Sequence, residues 1–162
     1  MDDFQRRALD IAQTSTYLTY LARQGKVINA IEYFSYNLEF DAIPALGSVT
    51  GNIQIQSDSD FVCVYMSGAQ QLVGPSLDNA GVTQTPAGLL QLTDTGTGKT
   101  MFNQPVFGGL VLGQGGFPYL LPAPRTFAAQ TAIKVDWTDL FNATAQTTNF
   151  YFVLQGARVY YN

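Results

Sequence analysis

The chain has 162 residues, 46% of them apolar and only 12% charged, and a formal net charge of −4. That length holds one domain with a real core, and a charged fraction about half the usual one points to a surface that lies against neighbours. Histidine is absent and Cys63 is the single cysteine, which excludes Ser-His and Cys-His nucleophile pairs, thiolate metal clusters, the usual zinc ligand sets and any intrachain disulfide.

The charge is also unevenly placed. No basic residue lies between Lys26 and Lys99, while that stretch carries Glu32, Glu39, Asp41, Asp58, Asp60, Asp78 and Asp94. Without clustered Lys and Arg there is nothing to neutralise phosphates, so direct nucleic-acid binding is not expected. No run approaches the roughly 20 apolar residues of a membrane helix, and the acidic start Met1-Asp2-Asp3-Phe4 is unlike a secretory signal. Synthesis and retention in a cytoplasm is the expectation.

Residues 1–30 are expected to form an N-terminal arm, in part helical, and residues 31–162 a β-domain. In the arm, Phe4, Ala8, Ile11, Ser15, Leu18 and Ala22 recur at three- and four-residue steps, which places them on one helix face, and Gly25 is a natural stop. Phe4, Ile11 and Leu18 are therefore candidate contacts to a partner.

From Ile31 the pattern changes to β-branched and aromatic runs broken by Gly, Pro, Asn and Asp, with strands expected near 31–40, 49–56, 60–68, 88–94, 99–103, 105–112, 127–137 and 149–161. Asn52-Ile53-Gln54-Ile55-Gln56 alternates strictly, and so do Ile133, Val135 and Trp137 against Lys134 and Asp136. Phe61, Val62, Val64, Ile133, Val135, Trp137, Phe152 and Leu154 are expected between two sheets, with Cys63 in the same core. Segments 74–88 and 113–125, rich in Gly and Pro, read as long loops. The sum is an all-β, antiparallel jelly-roll-like sandwich.

Several motifs invite chemistry and fail on context. Gly96-Thr97-Gly98-Lys99-Thr100 lacks the first glycine of a phosphate loop, Thr93 standing in its place, and the helix that should follow meets Pro105; a hairpin turn is expected instead. Asp94-Thr95-Gly96 after Leu89-Leu90-Gln91-Leu92-Thr93 resembles the active-site loop of retroviral-type aspartic proteases, but no supporting apolar-apolar-Gly segment lies at the right distance. Asp94 is expected to cap its own turn. Asp136 and Asp139 read as solvated turn residues around Trp137, and Asn142-Ala143-Thr144 as a surface loop. No catalytic residue, metal site or cofactor is expected. In Leu120-Leu121-Pro122-Ala123-Pro124-Arg125 the prolines stiffen an extended segment, and the guanidinium of Arg125 suits a carboxylate across an interface, so Pro122, Pro124 and Arg125 join the candidate contacts.

Asp58-Ser59-Asp60-Phe61 entering an apolar strand, the stretch Phe117-Pro118-Tyr119-Leu120-Leu121-Pro122-Ala123-Pro124-Arg125, and the final Phe152-Val153-Leu154-Gln155-Gly156-Ala157-Arg158 together span most of residues 31–162. With the strand number, they resemble the jelly-roll auxiliary head proteins, cement or decoration proteins, of tailed bacteriophages. The resemblance implies a non-enzymatic virion protein that binds the major capsid protein, self-associates as a homotrimer and sits outside the nucleic-acid-filled shell. Another virion component of the neck, tail or baseplate, or a carbohydrate-binding module, would share these features.

Overall fold

Alternation of apolar and polar side chains along β9 (Ala132–Asp139) turns Ile133, Val135 and Trp137 inward and leaves Ala132, Lys134 and Thr138 half-exposed, as a strand with one buried face requires. The computed structural model describes residues 3–13, 22, 25–73, 83–113, 118–141 and 147–162. Around β9 lie β1 (Ile28–Pro44), β2 (Ser48–Gln54), β3 (Asp60–Val73), β4 (Thr83–Gln84), β5 (Gly88–Asp94), β6 (Lys99–Thr100), β7 (Val106–Phe107), β8 (Tyr119–Phe127) and β10 (Thr147–Tyr161).

All pairings between these strands are antiparallel, and they make two five-stranded sheets. The first runs β1-β10-β3, with β8 and β4 both on the far edge of β3; the second runs β2-β9-β5, with β6 and β7 on the far edge of β5. Between β1 and β3, and again between β8 and β10, the chain alternates sheets strand by strand, which is the double Greek-key winding of a jelly roll. The fold class expected from the sequence is the one observed.

The core between the sheets is aromatic. Trp137 stacks on Phe150 at 3.8 Å between centroids, and Tyr36 meets Phe61 edge-on at 4.9 Å. Gly156 in β10 lets β3 approach: a Cβ there would stand 1.9 Å from the Val62 carbonyl oxygen, beside the register shift that leaves Val64 without a partner on β10.

Val62 and Val64 are buried, but on the other side of the sheet from Phe61 and Cys63. They form a second cluster with Tyr65, Ala157 and Val159, against which Ile11 of α1 (Asp3–Gln13) packs. The expectation of one core holding all of these residues is corrected by strand parity: neighbours in a strand face opposite ways. Ser15 and Leu18 fall outside the described residues. Beyond them Gly25, at φ +72°, donates its N–H to the Ala22 carbonyl, and β1 begins at Ile28, inside the stretch read as arm.

Other boundaries also move. Residues 105–112, expected as a strand, give only β7 followed by the short helix α2 (Gly108–Val111), because the chain crosses Trp137 where a Cβ on Gly108 would sit 2.8 Å from the indole ring. The expected strand 127–137 is two elements: Phe127 ends β8, and a turn with Gln130 at φ +66° precedes β9. The loop expected over 113–125 contains most of β8, whose prolines are tolerated because it is an edge strand.

Candidate interaction surfaces

Carboxylates that might do chemistry are engaged elsewhere. Asp94 accepts from the Gly96 N–H at 2.9 Å and the Thr97 hydroxyl at 2.7 Å, while the Gly98 N–H donates to its carbonyl at 2.8 Å; the hairpin closes with Gly98 at φ +68°. Among the described residues no three of His, Cys, Asp and Glu stand together in a way that could hold a metal. Burial pushes the Cys63 thiol far above its ordinary range, so the sulfur is inert.

Asp139 corrects a sequence reading. It is not a solvated turn residue: it is fully buried, in phase with Ile133, Val135 and Trp137. Its carboxyl accepts from Gln70 Nε2 at 3.1 Å, from the Phe141 N–H at 2.8 Å and from the Thr148 hydroxyl, and Gln70 Oε1 in turn accepts the Ala87 N–H at 2.7 Å. One side chain thus ties β3, β9, β10 and the approach to β5 together. Asp136 is also no turn residue; it lies on the outer face of β9 beside Lys134 at 2.9 Å and the Thr50 hydroxyl at 2.6 Å.

Above this network lies an end of the sandwich whose described connecting segments carry no charge, with exposed Asp41 at their border. The Leu46 N–H donates to the Phe141 carbonyl, Asp139 to Gly47 and Leu140 to Ala87, which brings the β1–β2, β4–β5 and β9–β10 connections together. The described segments 43–48, 84–89, 106–113 and 140–141 contain no Asp, Glu, Lys or Arg. They do contain exposed apolar side chains: Leu46, Phe107, Leu110 at 73% and Leu140, with Val73 beside them at the end of β3. Isolated exposed leucines are ordinary, but this many around one uncharged end make a patch suited to a protein partner.

The opposite end is charged and self-satisfied. Arg158 lies between the rings of Phe34 and Tyr160, each 4.9 Å away, donates from Nε to Ser59 at 2.8 Å and pairs with Asp58. The guanidinium holds the Asp58 carboxyl below the usual carboxylate range. Asp60 accepts from the Ala129 N–H at 2.7 Å and from the Tyr161 hydroxyl at 3.1 Å.

A groove follows the edge between the sheets. It holds about 250 Å³ between Met101 and Phe102 on one side and Tyr119, Leu121, Pro122 and Arg125 on the other. A smaller hollow of about 50 Å³ continues from Arg125 to Lys99. Here β8 is out of step with β3: Arg125 is level with Cys63 and Leu120 with Tyr65, so residues 121–124 bulge opposite Val64 alone.

Of the candidate contacts, Pro122 and Arg125 are exposed and Pro124 half-buried on this bulge. Ile11 is half-buried against its own sheet, away from the groove; Leu18, and the side chain of Phe4, lie outside what is described. Ile11 and the proline segment therefore do not share one surface. The uncharged end was missed, although the charge-free run from Thr100 to Pro124 was its signal.

Fold and surface define a class, a single jelly roll with an exposed apolar end and an edge groove. No family model, curated protein or solved structure matches the chain.

Proposed function

We propose that the protein is a structural component of a virus particle, a decoration protein that binds the major capsid protein on the outside of a phage head and stiffens the shell. The observation that carries this reading is the apolar end, where Val73, Phe107, Leu110 and Leu140 stay exposed on segments that carry no charge among the described residues. Cementing needs adhesive surface rather than reactive groups, and protein interfaces are depleted in charge at their centres. The fold is compatible with that role.

The test is addition of purified protein to particles lacking it. Wild type is expected to bind at high, regular copy number and raise the temperature at which the heads burst, whereas Phe107→Asp/Leu110→Asp stays folded and does not bind. Binding confined to one vertex or to the tail would move the protein to the neck or baseplate. Equal binding by the double variant would remove this end from the interface.

The helix supplies a second measurement. Deleting residues 1–25 uncovers Val62, Val64 and Val159 and is expected to cost about 2–4 kcal/mol. An unchanged melting temperature together with lost particle binding would make the segment an attachment arm instead.

A further inference from the structure

We propose that copies of this chain associate head to tail, the Glu39–Asp41 corner of one copy seating in the Lys99–Arg125 groove of the next. This concerns how copies meet, and it stands whether or not the protein decorates a shell.

The starting point is the charge left over after internal pairing. On the sandwich, Lys134 and Arg158 have carboxylate partners and Lys26 lies over the Tyr161 ring. Lys99 and Arg125 are exposed and have no carboxylate within 4.0 Å among the described residues. Of the acids, Glu32 takes the Tyr160 hydroxyl, Asp58 and Asp136 face cations, and Asp60, Asp94 and Asp139 accept internal hydrogen bonds. Glu39 and Asp41 are exposed with no such partner among the described residues.

The topology separates these leftovers by sign. Glu39 and Asp41 stand on β1, one edge of the first sheet, and Arg125 stands on β8, at the other edge, with Lys99 across the groove. A two-fold pairing of β1 with β1 would bring Glu32, Glu39 and Asp41 against their own copies, and pairing β8 with β8 would do the same to the cations. Only unlike edges attract. A contact between unlike surfaces is heterologous, and it gives a closed ring where the rotation closes.

Shape agrees with this assignment. Pro122, Pro124 and the bulge deny β8 a regular hydrogen-bond ladder, so a neighbour must dock by side chains. The groove floor of Met101, Phe102 and Leu121 is apolar and has room for an aliphatic side chain. Leu46, 56% exposed and five residues beyond Asp41, is such a side chain, at the border between the acidic corner and the apolar end.

Light scattering and native mass spectrometry on the full chain test the proposal without any particle. Wild type is expected as a single closed oligomer that weakens as salt rises from about 0.05 to about 0.5 M. Lys99→Glu/Arg125→Glu and Glu39→Lys/Asp41→Lys should each weaken association by about tenfold or more, and the chain carrying all four reversals should regain it. All four positions are exposed, so circular dichroism and melting should match wild type. A monomeric wild type at high concentration, oligomers unaffected by either reversal, or a folded four-fold variant that stays dissociated would each overturn the proposal. An acidic peptide that binds the groove of a monomeric wild type would assign the groove to another protein.

Discussion

At the end of the sandwich that carries the β1–β2 and β9–β10 connections, the polar groups are turned inward onto Asp139 and the apolar ones outward as Leu46, Leu110 and Leu140. At the opposite end Arg158, Ser59 and Asp60 are also buried, but there an exposed carboxylate, Asp58, closes the surface, and Ile55 and Phe127 point into the core. The two ends differ in what they expose: leucines at the first, a paired carboxylate at the second. A chain that buries a carboxyl beneath exposed leucines has its stability and its proposed contact surface in the same place. Disturbing the network beneath that end should therefore affect partner binding, whereas the charged end should bear on stability alone.

The largest effect is expected at Trp137, which is wholly buried under α2 and stacked on Phe150. Trp137→Ala should cost about 3–5 kcal/mol, enough to unfold a marginal domain, as read by urea denaturation. An unchanged midpoint would mean that the sheets are not joined through this ring.

Next comes Asp139→Ala, which strands the donors of Gln70, Phe141 and Thr148 and should cost about 2–4 kcal/mol, with particle binding reduced in step. If stability fell while binding held, the two properties would be separable and the comparison wrong.

Arg158→Met removes the ring contacts and the Asp58 pair at the other end and should cost about 1–2 kcal/mol at neutral pH, with particle binding retained. It should also change the acid limb. The folded-state Asp58 carboxyl is held below its unfolded value, so its contribution is present above the unfolded pKa and is lost as pH falls through the folded one. Melting temperature against pH should accordingly fall less steeply below about pH 4 in Arg158→Met than in wild type. Parallel curves would show that the pair does not couple to folding.

The smallest effect is expected at Asp94→Asn, where an amide oxygen can still accept from Gly96 and the cost should be about 1 kcal/mol or less. A peptidase activity that vanished in this variant would end the structural reading of the turn.

Much of the sandwich was written in local pattern. Strict alternation at Ile53-Gln54-Ile55 and along 133–137 gave strand and face together, because a pleated strand has period two. The same period already placed Asp139 in the core, since it follows Trp137 by two. The turn reading prevailed because a lone carboxyl carries no sign of the distant donors that make its burial affordable: Gln70 is 69 residues away. The proline segment was legible as stiff and extended, yet its membership in a sheet depends on pairing with Cys63 and Tyr65.

By itself the sequence determined the class of fold, the lack of any histidine or second cysteine, and the turn at Asp94, all properties of composition or of neighbours along the chain. Tertiary structure alone decided which face of β3 each valine occupies, that α1 covers the outer cluster, and that acids and cations left unpaired stand on opposite edges. Those outcomes depend on strand order and register between residues far apart in the chain, such as Arg158 and Asp58, separated by 100 positions. Local periodicity specifies a strand and its two faces, but the strand's neighbours are chosen by the packing of the whole sheet.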